Sequence, residues 1–61
     1  MKLLVLSREE DRDLALRNGG TVVGEYLDGW LVRVLAEQVG EVTYRLRDGT
    51  LIRRYSLPAQ P

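Results

Sequence analysis

An Asp-Gly pair between two runs of β-forming residues most constrains how this chain can fold. Asp48 and Gly49 lie inside residues 42–57, a segment rich in β-branched, aromatic and aliphatic side chains. Asp followed by Gly tolerates the positive φ angles at both central positions of a type I′ turn. The sequence therefore predicts a β-hairpin over residues 42–57 with a two-residue turn, which sets Leu46 opposite Leu51.

The alternation of side chains along this hairpin predicts one apolar face and one basic face. A one-residue slip of either strand would mix the two faces, so the pattern favours this register. The predicted apolar face, which we expect to meet a core, consists of Val42, Tyr44, Leu46, Leu51, Arg53, Tyr55 and Leu57. The predicted solvent face consists of Thr43, Arg45, Arg47, Thr50, Ile52, Arg54 and Ser56.

The start of the chain predicts a strand and a short helix. Residues 2–6 are a short apolar run that fits a strand buried on both faces. Ser7 with Glu10 three residues later has the pattern of a capping box, which predicts a helix over residues 8–17. The Asn-Gly-Gly sequence at residues 18–20 is a left-handed stop. We expect the acidic first two turns of this helix to be solvated.

A second Asp-Gly pair predicts another hairpin over residues 21–36. One of its predicted faces consists of Val23, Glu25, Leu27, Trp30, Val32 and Val34, and the other of Val22, Gly24, Tyr26, Leu31, Arg33 and Leu35. Both faces are largely apolar, so we expect this hairpin to be central and covered on both sides. Gly24 inside a strand indicates a bulge or a close backbone approach.

Together these elements predict an α+β fold with a short N-terminal strand, one short helix and a four-stranded antiparallel meander of two Asp-Gly hairpins. The 14 residues from 7 to 20 are long enough for a parallel crossover from the first strand. The alternative is a small SH3-like β-barrel with a peripheral helix. We expect residues 1–57 to form a single domain and residues 58–61 to form a flexible tail.

The composition argues against several kinds of chemistry. The 61 residues include no Cys and no His, which excludes disulfides, the common zinc sites and triads with a His base. No Gly-rich phosphate loop is present. Glu25 is the one carboxylate that the predicted register places among apolar neighbours, and an edge position explains it better than acid–base work. We therefore expect no enzyme, no metal and no cofactor.

Charge and hydropathy restrict the location and the partners. Nine basic and nine acidic residues give a formal net charge of zero, which argues against strong nonspecific binding to nucleic acid or to a membrane by the chain as a whole. The apolar start is far shorter than a signal-peptide core or a membrane span. We expect a cytoplasmic protein without a membrane partner.

The first functional hypothesis is a small non-enzymatic interaction or regulatory module. A sheet that packs on only one short helix leaves apolar surface on the 21–36 hairpin, so we expect self-association, most simply as a two-fold dimer, or binding of another protein. The residues expected at this interface are Tyr26, Trp30, Leu31 and Leu35.

The alternative hypothesis is nucleic-acid binding by the basic face of the 42–57 hairpin. Arg45, Arg47 and Arg54 share that predicted face, and arginines on a sheet can contact the phosphates of a nucleic acid. A plain solvated outer face explains the same three residues, since charged side chains also discourage pairing at sheet edges. The predicted register sets Tyr44 and Tyr55 on the opposite face, which counts against a stacking platform.

Overall fold

The computed structural model describes residues 1–56, so the predicted tail at residues 58–61 and the end of the predicted domain lie outside the described residues. The described chain has an α+β fold, which confirms the predicted class. Its strands form two separate three-stranded antiparallel sheets and no closed barrel. In chain order the elements are β1 (Lys2–Leu6), α1 (Glu9–Arg17), β2 (Thr21–Tyr26), β3 (Gly29–Val34), β4 (Ala36–Gln38), β5 (Thr43–Leu46) and β6 (Leu51–Arg53).

The first sheet has the strand order β1-β3-β2. Both β1 and β2 run antiparallel to β3, so they are parallel to each other and α1 connects them. The parallel crossover expected for residues 7–20 is therefore present, with β3 inserted between the two parallel strands. This arrangement gives the first strand its place at one edge of the sheet.

The second sheet has the order β4-β5-β6. The predicted meander is thus divided between two sheets, because the strand expected over residues 30–36 is interrupted at Leu35. This residue is 53% exposed and separates β3 from β4. The interruption lets Val34 and Leu46, which belong to different sheets, contribute to the same buried cluster.

The turn between β2 and β3 is centred one residue earlier than the sequence predicts. Leu27 and Asp28 have φ angles of 53° and 60°, and Tyr26 pairs with Gly29. Gly29 is the first residue of β3, and an added Cβ there would overlap the carbonyl oxygen of Leu6 on the neighbouring strand. The predicted Asp-Gly turn is therefore wrong here. Trp30 and Leu31 pair with residues of β2 that lie two positions earlier than predicted. A shift by two residues leaves the predicted division of β3 into two faces unchanged.

The strand β2 is irregular and exposed. The pairing register shifts between Val22 and Gly24, which confirms the irregularity that Gly24 indicates. Most of β2 is exposed, with Val23 at 45% and Tyr26 at 57%. The expectation that the whole 21–36 hairpin is covered on both sides is therefore wrong for β2, because this strand forms the free edge of its sheet.

The hairpin of β5 and β6 has a register that differs by one residue from the prediction. Tyr44 pairs with Ile52, and Arg45 pairs with Leu51. The backbone N–H of Leu46 donates to the carbonyl oxygen of Thr50 at 2.8 Å, which leaves residues 47–49 as a three-residue loop. The two-residue turn predicted at residues 48–49 is therefore wrong.

This one-residue difference turns β6 over. Ile52 is 1% exposed, whereas Leu51 is 55% exposed, the reverse of the predicted faces. Gly49 has a φ angle of 91°, as expected for the left-handed residue that closes a three-residue hairpin loop. The backbone N–H of Thr50 donates to Asp48 Oδ1 at 2.8 Å and fixes the same loop.

The helix α1 begins later and is buried differently from the prediction. Arg8 occupies the N-cap position and makes no side-chain capping bond, so the capping box of Ser7 and Glu10 is not formed. Asp11 and Ala15 are buried, which corrects the expectation of a solvated first half. The helix ends at the expected Asn-Gly-Gly stop, where Gly19 has a φ angle of 82°.

A single core joins the helix and both sheets. Its buried members are Leu4, Leu6, Ala15, Val32, Val34, Tyr44, Leu46 and Ile52, with Leu14, Trp30 and Ala36 packed against them. Asn18 closes one end of the core: its Nδ2 donates to the carbonyl oxygen of Leu14 at 2.9 Å, and its Oδ1 accepts the backbone N–H of Asp48 at 3.2 Å. One face of the first sheet is covered by this core, and its other face points away from it.

Candidate protein-interaction surface

The face of the first sheet that points away from the core is mainly apolar. Val5 is paired with Leu31, and Leu3 is paired with Arg33, so these side chains lie on one face. Gly24 pairs with Leu31, which sets Tyr26 on the same face two residues further along β2. We call this surface the outer face, and its paired side chains are Leu3, Val5, Thr21, Tyr26, Leu31 and Arg33.

The outer face is bare among the described elements. Leu3 is 61% exposed and Tyr26 is 57% exposed, while Val5 and Leu31 are partly exposed. By contrast, the opposite face of the same strands contributes Leu4 to the core. The sheet therefore has one buried face and one face of exposed large apolar side chains.

An open groove of about 450 Å³ extends the outer face along the side of β1 that is not paired with β3. Its apolar lining includes Leu3, Val5, Leu27 and Tyr55. Tyr55 is held there because its backbone N–H donates to the carbonyl oxygen of Val5. The apolar surface thus continues from the sheet onto the turn after β2 and onto the segment after β6.

The four predicted interface residues are not all on this surface. Tyr26 and Leu31 lie together on the outer face. Trp30 lies on the inner side, where it packs against the core and the guanidinium carbon of Arg12 is 4.4 Å from its ring centroid. Leu35 is exposed at the junction between the two sheets. Two of the four predicted interface residues, Tyr26 and Leu31, therefore share the outer face, and their part in an interface stays a prediction.

Sequence reasoning missed Leu3 and Val5. The uninterrupted apolar run at residues 2–6 gives no alternation, so it does not distinguish a strand covered on both faces from a strand with one bare face. Only the pairing of β1 with β3 shows that Leu3 and Val5 join Leu31 on the exposed side.

The three arginines proposed for nucleic-acid binding do not share a face. Arg45 is half exposed and forms an ion pair with Glu37. Arg54 donates through Nη2 to the carbonyl oxygen of Glu41 at 3.0 Å. Arg47 lies in the loop between β5 and β6, and the register sets Arg53 in place of Arg54 on the face of Arg45. The predicted basic face is wrong, whereas nucleic-acid binding itself stays a prediction.

Three further features of the described residues bear on function: an exposed carboxylate, the placement of metal-ligating side chains and the length of the helix. Glu25 is exposed on the edge strand β2, which confirms the edge position expected for this carboxylate. Within residues 1–56 no group of three or more metal-ligating side chains comes together. The helix of the described chain has only nine residues and is too short to cross a membrane.

The clearest electrostatic perturbation is at the loop between β5 and β6. Hydrogen bonds from the hydroxyl and the backbone amide of Thr50 lower the pKa of Asp48 below its ordinary value. These bonds stabilise the charged carboxylate, so the perturbation belongs to turn formation and not to a reactive group.

Comparison of the chain with protein-family models, with curated proteins and with solved structures gives no match.

Proposed function

We propose that the chain is a non-enzymatic interaction module that self-associates through the outer face of its first sheet. The observation that supports this proposal is the adjacency of four apolar side chains, Leu3, Val5, Tyr26 and Leu31, on a face that no described element covers. Large contiguous apolar surface is typical of association sites. Burial of this surface would also add to a core that is small for a folded domain.

A second copy of the chain is the occupant that fits the charges. The formal net charge is zero, so two copies do not repel each other as highly charged proteins do. Arg33 is the one charged side chain among the paired residues of the described outer face. It lies toward the opposite end from Tyr26, so a two-fold axis near Leu31 keeps the two guanidinium groups apart.

The size of the face indicates a weak dimer. Three strands about 4.8 Å apart, with five residues of about 3.3 Å each, project roughly 14 Å by 17 Å, or about 240 Å². A standard stable interface removes about 800 Å² of accessible surface per partner. The adjoining groove must therefore contribute to the contact, and we expect a dissociation constant between about 10 µM and about 1 mM.

Sedimentation velocity from about 10 µM to about 1 mM protein tests this proposal over the range of a weak interface. The wild-type chain is expected to move from monomer toward dimer as its concentration rises. The variant Leu3→Asp is expected to stay monomeric, because dimerisation would bury an unpaired carboxylate. Val39→Asp is the matched control, since Val39 is also an exposed aliphatic residue (44%) but follows β4 on the second sheet.

A wild-type chain that remains monomeric at about 1 mM would overturn the proposal, since even a weak interface is populated there. So would equal association by Leu3→Asp and Val39→Asp. Circular dichroism of both variants establishes that each is folded. A mixed-sequence oligonucleotide added at low and moderate salt tests the alternative, because binding through arginine–phosphate contacts weakens steeply as salt rises.

A further inference from the structure

The carboxylate of Asp11 is buried, with Arg8 as its ion-pair partner but without a hydrogen bond to its Oδ2 atom. Asp11 is 4% exposed and lies in the first turn of α1. Its Oδ2 atom has no hydrogen-bond partner within residues 1–56. The nearest cationic atom is Arg8 Nε at 3.7 Å, which is longer than a hydrogen bond. Folded proteins leave few buried polar atoms without a hydrogen bond, so the Oδ2 atom of Asp11 calls for an explanation.

Asp11 lines an open groove of about 370 Å³ between the helix and the second sheet. The lining consists of Arg8, Asp11, Thr43, Leu51, Ile52 and Arg53. The volume is in the range of small-ligand sites. The groove combines an acceptor at Asp11, guanidinium donors at Arg8 and Arg53, and aliphatic surface from residues 51–52.

The charges of this lining restrict the ligand. Two guanidinium groups and one carboxylate give the lining a formal charge of +1. A ligand with a single negative charge and a neutral N–H donor complements this set, because the N–H can meet the carboxylate and the anion can meet a guanidinium. A free ammonium group at the same carboxylate would be repelled by the guanidinium group of Arg8.

We propose that this groove binds the carboxyl-terminal end of a peptide. The last backbone N–H of the peptide donates to Asp11, its terminal carboxylate accepts the two parallel N–H bonds of the Arg53 guanidinium, and an aliphatic last side chain packs on Leu51. Arg8 stays beside Asp11 on binding, and its positive charge disfavours a free ammonium group at that carboxylate.

A nucleotide also carries N–H donors and a negative charge, but the groove suits it less well. Nucleobases are usually held by stacking on aromatic rings. The described residues that line this groove include no aromatic side chain. The peptide end is therefore the occupant that the lining favours, and a nucleotide becomes an outcome of the test.

The proposed peptide site does not depend on self-association of the chain. The groove lies between α1 and the second sheet, whereas the outer face belongs to the first sheet. A chain that stays monomeric would leave the peptide site untouched, and a chain without the peptide site would still dimerise through Leu3.

Two-dimensional ¹H–¹⁵N NMR of the labelled full chain tests the site with N-acetyl-leucine. This probe has one amide N–H, one carboxylate and an aliphatic side chain, and a ligand of its size is expected to bind in the millimolar range. Amide shifts are expected near Asp11, Ile52 and Arg53 as the probe is raised to about 20 mM. N-acetyl-leucine methyl ester lacks the carboxylate and is expected to bind at least fivefold more weakly than N-acetyl-leucine.

Variants assign the binding to the proposed groups. Asp11→Asn is expected to weaken binding at least fivefold, while Asp13→Asn is expected to leave it unchanged, because Asp13 bonds to Arg12 and lies outside the groove lining. If Asp11→Asn does not fold, Arg53→Gln, at an exposed residue, supplies the same comparison.

Absence of any shift at about 20 mM probe would overturn the proposal, since a site of this kind is saturable there. Unchanged binding in a folded Asp11→Asn variant, or in Arg53→Gln, would also overturn it. Preferential binding of guanosine monophosphate over N-acetyl-leucine in the same groove would replace the peptide end with a nucleotide. A lower melting temperature of Asp11→Asn together with no binding would make Asp11 a structural partner of Arg8.

Discussion

The close approach of β3 to β1 at Gly29 makes one substitution especially informative. Gly29 is buried, and a Cβ added there would overlap the carbonyl oxygen of Leu6 and lie 3.0 Å from Ser7 Cα. These are backbone atoms at the end of a paired strand, so they cannot rotate away as a flexible side chain can. Gly29→Ala is therefore expected to destabilise the fold by forcing β1 and β3 apart.

The magnitude follows from two opposing effects. Overpacking against a fixed backbone typically costs about 1–3 kcal/mol. Replacing Gly by Ala also restricts the unfolded chain, which returns about 0.4–1 kcal/mol where the conformation fits. A chain of this length has a total stability of about 3–9 kcal/mol. A net loss of about 1–2 kcal/mol would lower the melting temperature by roughly 4–16 °C.

Thermal unfolding followed by circular dichroism measures this difference. Gly24→Ala is the matched control, because Gly24 lies in the neighbouring strand β2 with open space where its Cβ would be. It is expected to melt at or slightly above the wild-type temperature. All samples need one protein concentration, since self-association makes the melting temperature concentration-dependent. Equal melting temperatures for Gly29→Ala and Gly24→Ala would refute the close-approach argument.

Two further predictions test the loop and register of the second hairpin. Ile52→Ala is expected to cost about 2–5 kcal/mol in urea unfolding, while Leu51→Ala is expected to stay within about 0.5 kcal/mol of wild type; the reverse order would restore a two-residue turn. Because the folded pKa of Asp48 is lowered by Thr50, its contribution to stability is present above the unfolded value of about 3.9 and is lost as pH falls through the folded pKa. Melting temperatures between pH 6 and pH 2 are therefore expected to fall more steeply for wild type than for Asp48→Asn, and parallel curves would contradict the assignment.

The sequence predicts where the hairpins are better than it predicts their registers. Both Asp-Gly pairs mark real reversals of the chain, but neither forms the predicted two-residue turn. The close approach of Leu6 leaves no room for a Cβ at position 29 of β3, so a glycine is required there. Gly49 closes a three-residue loop. The deciding contact at Gly29 is with a residue more than 20 positions away, so local turn preference could not supply it.

The helix shows the same limit for charged residues. The spacing of Ser7 and Glu10 indicates a capping box, but Arg8 takes the N-cap position and forms an ion pair with Glu10. Nothing in an acidic first turn indicates that Asp11 is the one acid of that turn to be buried. Its burial follows from the packing of α1 near β6, a long-range contact that no helical periodicity encodes. The candidate groove at Asp11 was therefore beyond sequence reasoning.

The bare outer face follows from chain length and topology. With 61 residues the chain forms one short helix among its described elements, and that helix, together with the second sheet, packs on the inner side of the first sheet. A chain of this size buries only about 60% of the surface that its unfolded form exposes. The apolar run at residues 2–6 nevertheless supplies aliphatic side chains to both faces of β1, since Leu4 is buried and Leu3 is not. Leu3 is therefore the position where a change to aspartate best separates the two roles of β1, because it should abolish association while the core formed by Leu4 and Leu6 stays intact.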